Sequence, residues 1–236
     1  MFGWGNLRLQ NRADALQALG DNLSDYKPFN PLDKKNLGIS VGDALLESEV
    51  SPLPPKKRFV GAGIYCLYYK GPFEPYRLMS EMNSKSWHIP IYVGKAVPKG
   101  ARKGRLGLDE NPGYVLHSRI KKHAKTITEA KNLELKDFVC RYLVVEDIWI
   151  PLGESLLVDR FRPLWNVEID GFGNNDPGKG RYEQKKSPWD VLHPGRSWAD
   201  KCAKSNHSPE SVERMAIEFF QQYHQPENLR RNSEPS

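Results

Sequence analysis

Val60-Gly61-Ala62-Gly63-Ile64-Tyr65-Cys66-Leu67-Tyr68-Tyr69 is the stretch that decides the fold. Its apolar and aromatic residues alternate with the period of two that a β-strand presents to its two faces, so the segment reads as a strand. Ile89 to Val93 reads as a second strand. The long connection between them holds Gly71-Pro72, Pro75 and Asn83, residues that break regular structure, and the two strands are expected to pair antiparallel. Phe138 to Val145 repeats the alternation as a third strand. Gly113 to Ile127 places Leu116, Ile120 and Ile127 at helical spacing. A second helix runs from Pro151 to Phe161, with proline at its start and Arg162-Pro163 ending it. Ser208-Pro209-Glu210 opens a last helix, whose Val212, Met215, Ala216, Phe219 and Phe220 form one apolar face.

A chain of 236 residues with 39% hydrophobic and 11% aromatic content can bury one substantial core with extensions. Ser51-Pro52-Leu53-Pro54-Pro55 marks a boundary, so residues 1–59 read as an N-terminal extension, with short helices near Asn11 to Leu19 and Val41 to Ser48. Gly171 to Gly180 reads as a loop and opens a C-terminal extension, 171–236, whose last ten residues are expected to be disordered. The formal net charge is +6. Pro98 to Lys125 alone holds eight lysines and arginines against Asp109 and Glu110, so one segment carries the whole excess. Such a segment is either a solvated face or a footprint for phosphates. Cys66, Cys140 and Cys202 are odd in number and lack metal-ligand spacing, which fits reduced thiols in a cytoplasm. No run of eighteen apolar residues occurs, so a membrane span is not expected, nor is secretion.

Arg119 and His123 lie four apart and share a helix face beside the apolar stripe of Leu116 and Ile120. An arginine so placed needs an anion, either an acidic neighbour or a phosphate. Glu154 precedes Leu157, Val158 and Phe161 by three, four and seven positions, which puts a carboxylate in its own helix's apolar stripe. It could bind a divalent cation, pair with Arg119, or meet the helix dipole. Tyr65 and Tyr92 are expected on neighbouring strands, where they either pack or orient a water molecule; Asn166 alone would read as a turn residue. Together these groups offer phenols, a cation, an imidazole and a carboxylate, which is what phosphodiester hydrolysis needs.

Gly63-Ile64-Tyr65, then Tyr92-Val93-Gly94-Lys95, Arg119-x-x-x-His123, Glu154 and Asn166 resemble, in that order, the GIY-YIG nuclease superfamily. The stretch from Glu154 through Arg162-Pro163-Leu164-Trp165-Asn166 is similar in spacing to the same element of bacterial excision-repair nucleases. The resemblance covers residues 60–170 and implies an α+β fold, a small antiparallel sheet of about three strands flanked by helices. It implies that Tyr65 or Tyr92 positions or activates water, Arg119 stabilises the phosphorane, and His123 assists proton movement. Glu154 would hold a single Mg2+, which Mn2+ can replace, and Asn166 would fix the geometry. The connection from Tyr65 to Tyr92 is longer than the family's short hairpin, and residues 97–112 form a basic insertion.

Insertions and extensions of this kind look like those of type II restriction endonucleases that cut GC-rich palindromes. That likeness implies double-stranded DNA as substrate, a homodimer on DNA, a cognate methyltransferase protecting the host, and a bacterial cytoplasm. Either extension could supply the dimer interface. Lys95, Arg102, Lys103 and Arg105 are candidate DNA contacts, and so are Lys179, Arg181, Lys185, Lys186 and Arg196, which interleave with Trp189 and Trp198. A structure-specific repair nickase and a non-catalytic DNA-binding module are the rival readings. Gly178-Lys179-Gly180 lacks the strand and Ser/Thr of a phosphate loop, Glu134-Leu135-Lys136 lacks an acidic partner, and the remaining histidines lack zinc-ligand spacing.

Overall fold

Seven consecutive buried residues, Gly63–Tyr69, form strand β2 and separate two hydrophobic layers. The structure is a computed structural model that describes residues 30–98 and 112–223. One layer takes Ile64, Cys66 and Tyr68, packed with Val93, with Leu45 of helix α1 (Lys34–Glu47), and with Ile150, Leu157 and Phe161 of helix α4 (Ile150–Phe161). The other takes Tyr65, Leu67 and Tyr69. These meet Leu116, Ile120, Ala124 and Ile127 of α3 (Val115–Glu129), Trp165 of the short α5 (Leu164–Val167), and Trp189 of α6 (Pro188–Leu192). Val212, Ala216 and Phe220 of α7 (Pro209–Tyr223) close that side. Alternation along one strand therefore builds a helix–sheet–helix sandwich.

The sheet has four strands, β1 (Ser51–Pro52), β2, β3 (Tyr92–Ala96) and β4 (Phe138–Val144), in the spatial order β1-β4-β2-β3, and every neighbouring pair is antiparallel. An α+β architecture of antiparallel sheet and flanking helices is thus what the sequence predicts, with a fourth strand added. That strand, β1 (Ser51–Pro52), lies in the proline cluster read as a boundary; it pairs with β4 (Phe138–Val144) at the sheet edge, where a proline's missing N–H costs no ladder bond. Described residues from Leu37 onward belong to one compact unit. The predicted helix at residues 11–19 lies outside the described residues.

Strand β3 covers Tyr92–Ala96 rather than 89–93. Ile89 is instead held by Asn83, whose side chain accepts from the Ile89 amide at 3.0 Å and donates to its carbonyl at 3.0 Å. The same amide group donates to Tyr69 O at 3.1 Å, so one buried asparagine ties both ends of the long connection together. That connection is not a bare loop: it contains a 3-10 turn, Glu74–Tyr76, and helix α2 (Arg77–Met82). Helix α4 ends at Arg162, whose left-handed φ of 40° brings its amide to Val158 O at 2.8 Å before Pro163 stops the helix. All three cysteines are free thiols, and burial pushes those of Cys66 and Cys140 up to about 12. Among the described residues no helix is long and apolar enough to cross a membrane.

Candidate active site

Register brings the two tyrosines together. Tyr65 pairs with Gly94, and Leu67 with Tyr92, so Tyr65, Gly94 and Tyr92 share the face covered by α3. A Cβ on residue 94 would sit 2.4 Å from the Tyr65 hydroxyl oxygen, so only glycine lets the phenol lie across the edge strand. The rings of Tyr65 and Tyr92 are 6.2 Å apart, centroid to centroid.

From α3, His123 reaches Tyr65, with Nε2 2.6 Å from the hydroxyl oxygen. Burial, reinforced by Arg119, Lys122 and Arg196, holds the His123 imidazole well below its usual pKa, so it is neutral. With the ring proton on Nδ1, Nε2 accepts from the Tyr65 O–H. Burial drives the Tyr65 phenol well above the usual range, with Tyr92 adding to the rise and Arg119 opposing it. Burial also raises Tyr92, again against the pull of Arg119. Both tyrosines are therefore neutral proton donors. For Arg119, burial disfavours the charge, but the two phenols outweigh it and the guanidinium stays fully ionised. Its Nη2 donates to Gly173 O at 3.3 Å.

Asn166 caps the open edge of β3. Its Oδ1 accepts from Val93 N at 2.8 Å and its Nδ2 donates to Val93 O at 2.9 Å, as a neighbouring strand would. Glu154 projects from α4 with its side chain 22% exposed, and it is ion-paired with Lys95 of β3. The partner is Lys95 rather than Arg119, which the sequence offers as one alternative. Glu154 is near enough to both phenols to raise them further. All six predicted catalytic residues thus meet at the β2–β3 edge.

Residues 57–220 match the family model of the Eco29kI GIY-YIG domain. The chain belongs to this family. It is a GIY-YIG endodeoxyribonuclease of the restriction-endonuclease branch, acting on DNA, and GIY-YIG nucleases generally use a divalent metal. A search of curated proteins returned no match.

This nuclease's site suits a hard cation. Glu154 is a solvent-reachable carboxylate whose charge is felt by both phenols, and a hard ion held there would complete its shell with phosphate oxygens and water. No group of three or more His, Cys, Asp or Glu gathers among the described residues, so there is no zinc-type cage there.

The expected DNA contacts fare differently. Arg196 cannot touch DNA: its side chain is 2% exposed and its Nε donates to Asp190 Oδ1 at 2.6 Å. Lys95 is engaged with Glu154, Lys186 with Asp200 at 2.7 Å, and Lys185 with Asn206 at 2.7 Å. Arg181 is exposed. Arg102, Lys103 and Arg105 lie outside the described residues, as does the side chain of Lys179. Two contributors went unread in the sequence: Phe172, whose ring stacks on His123 at 4.5 Å and 19°, and Gly173, which receives Arg119. The one available signal was an aromatic residue between two glycines in an otherwise polar loop.

Proposed function

We propose that this nuclease is a type II restriction endonuclease that hydrolyses both strands of a short palindrome in a restriction–modification system. The observation that carries the reading is the convergence of Tyr65, Tyr92, Arg119, His123, Glu154 and Asn166 at one sheet edge in a chain of the Eco29kI GIY-YIG family. Glu154 would hold Mg2+, or Mn2+ in its place; the ion supplies charge neutralisation at the phosphate oxygens and the leaving oxygen. The chain's own groups do the rest. Neutral His123 takes a proton through the Tyr65 hydroxyl, which leaves that oxygen free to receive one from the attacking water. Tyr92 orients the water from the same face. Arg119 donates to the phosphorane oxygens from a partly desolvated position, where its charge counts for more than in water. Asn166 keeps β3, and with it Tyr92 and Gly94, in register.

A single carboxylate and one set of these groups per chain cut one strand, so cutting a palindrome calls for a homodimer whose twofold axis matches that of the DNA. In this reading residues 60–170 form the catalytic core, and the segments 1–59 and 171–236 supply the dimer interface and further DNA contacts. Lys95, Arg102, Lys103, Arg105, Lys179, Arg181, Lys185 and Lys186 contact DNA in the working complex. A methyltransferase of the same specificity protects the host genome in the bacterial cytoplasm. The test is digestion of phage DNA with Mg2+, followed by sequencing of the fragment ends. The same palindrome at every end supports the proposal; nicked circles, or cleavage confined to branched or damaged DNA, would favour a repair nickase instead.

A further inference from the structure

Phe172 and Gly173 belong to no motif of the catalytic set, yet they form one wall of the site. Phe172 stacks on His123 and sets its edge against Tyr92 at 4.9 Å, and Gly173 O accepts from Arg119. The loop that presents them has no regular structure of its own. The side chain of Arg196 holds it from behind. Arg196 Nη2 donates to Gly171 O at 2.9 Å, and Nη1 donates to Phe172 O and Asn174 O at 3.3 Å each. The remaining guanidinium nitrogen, Nε, is taken by Asp190, whose other oxygen accepts from Ser187 Oγ at 2.7 Å. Trp189 and Trp198 sandwich the cation, each ring centroid 4.6 Å from the guanidinium carbon. Asp190 and Arg196 side chains are 1% and 2% exposed.

A buried ion pair is weak evidence for stability, since an apolar pair of similar volume often does as well. What an apolar pair cannot do is hold the three backbone carbonyls of Gly171, Phe172 and Asn174 with a planar fork. We infer that Arg196, seated on Asp190, is a positioning residue for DNA cleavage: it fixes the 171–174 loop so that Gly173 aims Arg119 and Phe172 seals His123. The inference rests on the reading of Arg119 as the group that stabilises the phosphorane.

Arg196→Lys keeps a cation opposite Asp190 but offers one nitrogen in place of three, so the loop loses its carbonyl contacts. Gly173→Ala perturbs the same wall without touching the buried pair, because its Cβ would lie 3.0 Å from the Tyr92 hydroxyl and 3.5 Å from Arg119 Nη2. Each variant is made with and without Arg119→Ala, and single-turnover cleavage of a duplex carrying the site is measured well below the melting temperature. With Arg119 present, each substitution is expected to slow cleavage roughly ten- to a hundredfold, with DNA affinity unchanged. In the Arg119→Ala background, the further loss should shrink by at least about threefold, because the group being aimed is gone and only the Phe172–His123 and Tyr92 contacts of the wall are left to disturb. Losses that multiply independently in the two backgrounds would overturn the inference, as would wild-type turnover in either folded variant. Should Arg196→Lys fail to fold, Arg196→Met combined with Asp190→Leu, an apolar pair of similar volume that gives up the carbonyl contacts, takes its place under the same criterion. Wild-type turnover in Arg119→Ala itself has a separate meaning, removing the reading of Arg119 and this inference with it.

Discussion

Gly94→Ala tests the geometry of the site with one methyl group. The added Cβ would lie 2.4 Å from the Tyr65 hydroxyl oxygen, 2.5 Å from its Cζ and 2.8 Å from Tyr92 Cε1, whereas ordinary contact starts at 3.4 Å. The Tyr65 hydroxyl must therefore retreat by about 1 Å, a misplacement that typically costs a hundredfold in rate. It cannot do so freely, because the ring is fully buried and the hydroxyl is bonded to His123 at 2.6 Å. Overpacking of this kind also costs stability, about 1–3 kcal/mol. For a chain of this size each kcal/mol lowers the melting temperature by about 2–4 °C, so the variant stays folded at assay temperature. The expected result is single-turnover cleavage slowed about a hundredfold, with DNA binding intact and a modest drop in melting temperature. A variant that folds and cleaves within roughly threefold of the parent would show that the Tyr65 hydroxyl does not limit turnover.

Three further outcomes follow from the same geometry. Lys95→Met removes the ammonium that competes for Glu154; the pair is partly exposed, worth about 0.2–1 kcal/mol, so Mn2+ binding to the DNA-free protein should tighten by no more than about fivefold, read by electron paramagnetic resonance, and weaker binding would contradict the competition. Burial keeps His123 well below its ordinary 6.5, and burial with Arg196 nearby brings His193 to about 3, so both are neutral in the fold but take up a proton on unfolding below pH 6.5. Their depressed values make stability full above pH 6.5 and erode it as pH falls, by about 1.4 kcal/mol per pH unit per histidine; His193→Gln should flatten the slope measured by urea unfolding, and equal stability at pH 7 and pH 5 would refute the assignment. Arg102, Lys103 and Arg105, changed singly to Ala, sort by effect: a base contact costs about 1–3 kcal/mol and relaxes specificity at one position, a phosphate contact lowers the salt slope by about one, and no effect from any of them would move base reading to residues 179–204.

Much of the core was legible because its signals are local. Strand β2 announces itself through alternation, and the stripe of α4 exposes Glu154 as an anomaly that needs a partner. The identity of that partner was not legible: Lys95 and Glu154 are brought together only when α4 packs on the β2–β3 layer. Strand β3 starts three residues later than its sequence suggests, because Ile89-Pro90-Ile91 is apolar enough for a strand while Asn83, six residues earlier, captures Ile89. Arg196 is the residue whose place is least visible in the sequence. Among neighbours Arg181, Lys185 and Lys186 it reads as surface charge, and only Asp190 and the flanking Trp189 and Trp198 hint that it is sealed inside. Burial is decided by the whole fold, so a count of local charge cannot supply it. Likewise Asn166 looks like a turn residue until β3 lies beside it and its amide completes the sheet edge.

Cleavage of a duplex bearing the sequenced site by parental chains, Glu154→Gln chains and their mixture, with Mg2+ present, tests the central claim most directly. Glutamine keeps the shape of Glu154 and loses the charge needed to hold a hard cation. Parental protein should give double-strand breaks, Glu154→Gln should bind the duplex without cutting it, and mixed dimers should leave nicked product. Cutting by Glu154→Gln at the parental rate, or double-strand breaks made by a single chain per duplex in one binding event, would contradict the account.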